Sequence, residues 1–128
     1  MGLDNSIVIK KNDKTAAIDY KLSELFEDDS SEYCVVYYRK CWNVRNEILY
    51  IINHRYDEEY EFTIDVEDVE QIIEYLKSLD ADTWNDSGPS IWEWEDMEEH
   101  VQQDIENLEK LVELMQEYDL DVVFYDSY

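Results

Sequence analysis

Glycine and proline are almost absent, with 2 Gly and 1 Pro in 128 residues. That excludes collagen-like chains, flexible linkers and glycine loops that cradle phosphate. Cysteine is scarce too. Cys34 and Cys41 flank a Tyr-rich segment. If 33–40 is a strand, they stand roughly 20 Å apart or more and cannot bridge. They read as reduced, partly buried thiols of a cytosolic protein. No run approaches the ~18 apolar residues of a membrane span. The start, Met1-Gly2-Leu3-Asp4-Asn5, lacks the basic-then-apolar order of a secretory signal. Basic residues are few: 10 Lys+Arg face 34 Asp+Glu, for a formal charge of -24. Phosphate contacts need a basic surface, so the composition argues against direct nucleic-acid binding.

What is present is enough to fold. Hydrophobic residues make up 45% and aromatics 14%, with 11 Tyr and 4 Trp, so this is not a disordered acidic tail. The length suits one domain spanning 1–128. Its charge is split unevenly. Residues 1–55 carry 9 acids and 8 bases, whereas 56–128 carry 25 acids and only Lys77 and Lys110 as bases. No linker divides the near-neutral half from the strongly acidic one.

Hydrophobic spacing predicts strands over Leu3–Lys10, Tyr33–Lys40, Tyr60–Ile64 and Leu120–Tyr125. Residues 15–25 are ambiguous, with Ala16, Ala17, Ile18 and Tyr20 able to continue a hairpin. Loops are expected at 27–32 and 80–89. Helical spacing runs over Trp42–Arg55 and over Val66–Leu79, the latter capped by Asp65 with Asp68 at its third position. The longest periodic run, Ile91–Tyr118, steps through Trp94, Met97, Val101, Ile105, Leu108, Val112 and Met115. The expected fold is α+β, a small and mainly antiparallel sheet with about three helices, the long C-terminal one acidic.

Off that apolar stripe lie Glu95, Asp96, Glu98, Glu99, Glu106, Glu109, Glu113 and Glu117. Acids four apart on a helix are about 6 Å apart along the axis, comparable to phosphates along a DNA strand. A stiff helix can therefore imitate a phosphate row. Asp57, Glu58, Glu59, Glu67 and Asp68 extend the field. Trp92 and Trp94 interleave with the acids, and such side chains favour interfaces. Arg39, Lys40, Arg45 and Arg55 form a basic cluster. It offers either a small-anion site or internal compensation for the acidic half. No metal, nucleophile or nucleotide motif occurs, and His54 and His100 stand alone. The expectation is a non-enzyme without cofactor or metal.

The segments MGLDNSIVIK, YYRKCWNVRNEIL and VVFYDSY resemble those of small bacteriophage proteins, a group that supplies no catalytic residues to carry over. Charge and size are similar to those of phage nucleic-acid mimics, which include anti-restriction and anti-CRISPR inhibitors. That likeness is one of class, not of motif, and implies a strategy but no target. It implies an inhibitor in the host bacterial cytoplasm that blocks the groove of a cationic nucleic-acid-binding protein, such as a defence nuclease. The alternative is a phage accessory protein that binds its partner through aromatics without mimicry. A dimer is compatible with either.

Overall fold

The computed structural model describes residues 4–52, 61–86 and 92–127. Its fold is mixed α+β, built on one five-stranded antiparallel sheet in the order β2-β3-β1-β5-β4. β1 (Asp4–Lys10) is central, between β3 (Glu32–Arg39) and β5 (Val122–Ser127). β4 (Glu61–Thr63) and the two-residue β2 (Glu27–Asp28) form the edges. β2 falls in the expected acidic loop; its pairing with Cys34 and Tyr33 makes it a strand.

Alternation explains the sheet. Ile7, Val36, Phe124 and Phe62 lie in one register row, and Ile9, Tyr33 and Val122 in another, all buried on one face. The opposite face carries Ser6, Tyr37, Tyr125 and Glu61. β3 contains one extra residue, Val35, where the register with β1 shifts between Ile7 and Val8.

Six helices occur among the described residues. Three are short: α1 (Asp13–Ala16), α2 (Asp19–Leu25) and α5 (Ala81–Asp86). Three are long: α3 (Trp42–Ile51), α4 (Val66–Lys77) and α6 (Trp94–Glu117). α1 and α2 replace the hairpin reading of 15–25. Asn12 caps α1 by accepting from the Lys14 and Thr15 N–H groups, and Ile18, Leu22 and Phe26 bury at four-residue intervals. α5 lies within the expected 80–89 loop. Asp80 accepts from the Asp82 and Thr83 N–H groups, and Trp84 is buried.

α4 starts at its predicted cap, with a reciprocal box between Asp65 and Asp68. Val69, Ile72, Ile73 and Leu76 bury its inner face. α6 has 24 residues, about 36 Å at 1.5 Å per residue. Its stripe is corrected in the second half, where Leu111 and Leu114 are buried and Val112 and Met115 only partly so. Steps of three from Leu108 to Leu111 and Leu114 turn the buried line by about 60° each around the helix axis, so it winds around α6 rather than running straight along it.

Cys34 and Cys41 form no disulfide; Cys34 is partly and Cys41 fully buried. No helix among the described residues is long and apolar enough to cross a membrane.

Candidate partner-binding face

The core face of α6 fixes where its acids go. Its apolar side turns inward, so Glu95, Asp96, Glu98, Glu99, Glu106, Glu109, Glu113 and Glu117 are all exposed. At 100° per residue, Glu95, Glu99, Glu106, Glu113 and Glu117 fall within about 40° of one another around the helix. They form a stripe facing away from the sheet. From first to last it rises about 33 Å, close to the 34–36 Å of one duplex turn.

α4 packs beside α6 and adds exposed Glu67, Glu70 and Glu74. Between the two helices runs an open groove of about 430 Å³. Ile73 and Val112 lie in it, flanked by Glu70, Glu74, Glu109 and Glu113. Lys77 also lines it, 3.6 Å from Glu109.

Of the other described cations, Lys110 stands exposed on α6 itself, four residues after Glu106 and three before Glu113. Lys10 pairs with Glu61, Lys11 with Asp28, and Lys14 with Asp119 at 2.8 Å. Those pairs lie away from the stripe of α6, which sets five carboxylates against Lys110. Asp68 does not belong to this face. It is buried, because the third residue of a capping box turns its carboxylate back onto the Asp65 N–H. Asp57, Glu58 and Glu59 lie outside the described residues.

The basic cluster is divided. Arg45 is committed internally: its Nε and Nη2 donate to the two oxygens of buried Asp126 at 2.8 and 2.9 Å. Asn5 Nδ2 donates to the same carboxylate at 2.8 Å, and the guanidinium lies 5.7 Å from the Trp42 ring centre. Of the two readings of the cluster, Arg45 therefore follows internal compensation, as a structural ion pair and not an anion ligand. Lys40 occupies the turn between β3 and α3 with φ 56°, a left-handed conformation unusual for a residue with a Cβ. Arg39 is exposed on β3, and Arg55 lies outside the described residues.

Trp94 and Trp92 separate in role. Trp94 packs on buried Trp84, with ring centres 5.8 Å apart. Trp92 is 38% exposed and donates from Nε1 to the Arg39 carbonyl at 2.7 Å. Its backbone carbonyl accepts from Trp84 Nε1 at 2.9 Å. Trp92, Tyr37, Arg39 and Asp96 border a cleft of about 470 Å³ between β3 and the start of α6.

His100 also lines that cleft, and composition alone missed its setting. Its Nε2 donates to the Tyr37 carbonyl at 3.1 Å, and its Nδ1 stands 3.3 Å from Oδ2 of buried Asp104. The Asp104 carboxylate holds the imidazole above its ordinary pKa. Tyr38, stacked on His100 with ring centres 5.5 Å apart, is pushed well up by burial and by the same carboxylate. The four-residue spacing of His100 and Asp104 was the available signal.

No group of three His, Cys, Asp or Glu side chains suited to a metal ion occurs among the described residues. In comparisons with family models, curated proteins and solved structures, nothing matches this chain.

Proposed function

We propose that the protein is a phage-encoded anti-defence inhibitor that imitates nucleic acid. It would occupy the Lys/Arg-lined groove of a host nuclease of the restriction or CRISPR type. The observation carrying this reading is the carboxylate stripe of α6, five exposed acids against Lys110, flanked across a groove by the acids of α4.

The mechanism is competitive exclusion. A cationic groove sheds counterions on the carboxylates as it does on phosphates, so binding weakens steeply with salt. Net charge steers the encounter and raises its rate. Trp92 and Tyr37, exposed beside the stripe's N-terminal end, supply contact area that charge alone lacks.

The test is capture of partners from a bacterial lysate at low salt, followed by salt elution and competition with duplex DNA. A nucleic-acid-binding protein displaced both by salt and by duplex supports the reading. Reversing Glu95, Glu99, Glu106 and Glu113 to Lys, with circular dichroism to verify folding, abolishes that capture. Unchanged binding by the folded variant overturns mimicry. It favours the second reading, in which the half-exposed Trp92 and Tyr37 dock a partner without imitating DNA.

A further inference from the structure

The outer edge of β3 is unusual in how it is closed. β2 covers only Tyr33 and Cys34. Beyond it, three carbonyls accept hydrogen bonds from side chains of the α6 segment. Val35 O takes Asn107 Nδ2 at 3.2 Å, Tyr37 O takes His100 Nε2 at 3.1 Å, and Arg39 O takes Trp92 Nε1 at 2.7 Å. These donors stand in for a neighbouring strand and blunt an edge that would otherwise invite pairing.

The middle donor is titratable. A carbonyl oxygen only accepts, so Nε2 must carry a proton. Nδ1 faces a buried carboxylate oxygen, Oδ2 of Asp104, whose other polar neighbour is the Tyr38 phenol. That contact is attractive only when Nδ1 is protonated too. We propose that His100, as the doubly protonated imidazolium, is a pH-sensitive clasp holding the first half of α6 against the β3 edge.

The surroundings agree. Asp96 and Asp104 come from α6 itself. β3 contributes the exposed Arg39, the Tyr37 and Tyr38 phenols and the Cys34 thiol. Cys41, just before α3, completes the set. Arg39 opposes the imidazolium and the two carboxylates favour it, but only Asp104 is buried in direct contact. Loss of the Nδ1 proton to solvent strands the Asp104 charge. A group whose folded pKa is raised stabilises below its ordinary pKa and loses that contribution as pH rises through the folded value. The clasp is therefore closed in mild acid and weakens through and above neutrality. It holds whatever the acidic face binds.

Hydrogen exchange of the full chain between about pH 5.5 and pH 8.5, corrected for intrinsic rates, tests this. Protection of residues 35–39 and 94–107 falls about tenfold per pH unit between the ordinary and the raised His pKa. His100→Gln keeps an N–H for Tyr37 O and flattens this dependence; Asp104→Asn returns the His100 titration to its ordinary range. Should either variant fail to fold, ring ¹⁵N shifts of the native protein decide alone. Both ring nitrogens protonated at pH 7 supports the clasp. A neutral ring at pH 6, or equal pH dependence in His100→Gln, overturns it.

Discussion

Arg45→Met isolates a buried carboxylate that joins the two halves of the chain. Asp126 is 4% exposed and accepts two hydrogen bonds from Arg45 and one from Asn5. Methionine keeps the hydrocarbon bulk beside Trp42 but leaves Asp126 with Asn5 alone. Breaking a buried pair from one side costs roughly 3–5 kcal/mol. The cost should thus be about 3–5 kcal/mol, a fall in Tm of roughly 11–19 °C for a chain of this size. Arg45→Met combined with Asp126→Asn should recover much of the loss, since the orphaned charge is gone. Urea titrations of the single and double variants measure both quantities. A cost below about 1 kcal/mol, or no recovery in the double variant, would refute the argument that Asp126 depends on Arg45.

Asp65→Ala should cost about 1 kcal/mol in urea unfolding, because it removes the oxygen that accepts the Asp68 N–H, whereas Asp65→Asn stays near neutral. Cys34 should alkylate slowly in the folded protein. Burial first, and then the surrounding carboxylates, push its thiol up to about 11. At pH 8 the thiolate is then about a hundredfold scarcer than for an unperturbed thiol, and a reaction as fast as that of the unfolded chain would contradict this.

The elements that were legible are those with a long apolar stripe or an unambiguous cap. Val69, Ile72, Ile73 and Leu76 with Asp65 define α4, and Met97, Val101, Ile105 and Leu108 define α6. α1 and α2 were obscured because Ala16-Ala17-Ile18 forms a short apolar run that suits a strand equally well. Their signals are the reciprocal Asn12–Thr15 cap and the spacing of Ile18, Leu22 and Phe26. The exposed acids of α6 follow from its periodicity. The β3 edge does not, because the acceptors opposite His100 and Asn107 are backbone groups placed by the extra residue Val35. Asp68 illustrates a competing role: the position that caps α4 cannot also present its carboxylate to a partner.

The distribution of acids along α6 separates a binding role from a solubilising one. Glu95 and Asp96 lie in its first turn, where negative charge favours the helix dipole. Glu113 and Glu117 lie at the other end, where the dipole disfavours them, and the last turn contains no base. α4, by contrast, ends on Lys77. Exchanging Glu113 and Glu117 for Lys should therefore stabilise the fold by about 0.3–1 kcal/mol each. Relief of repulsion from neighbouring carboxylates adds to this gain. If the stripe is a contact surface, the same exchange weakens capture of the partner by an order of magnitude or more. Stability and affinity then move in opposite directions, as expected where function has been favoured over stability. If the acids serve solubility alone, stability rises and capture does not change. Thermal unfolding and partner binding, measured side by side on the double variant, distinguish the two.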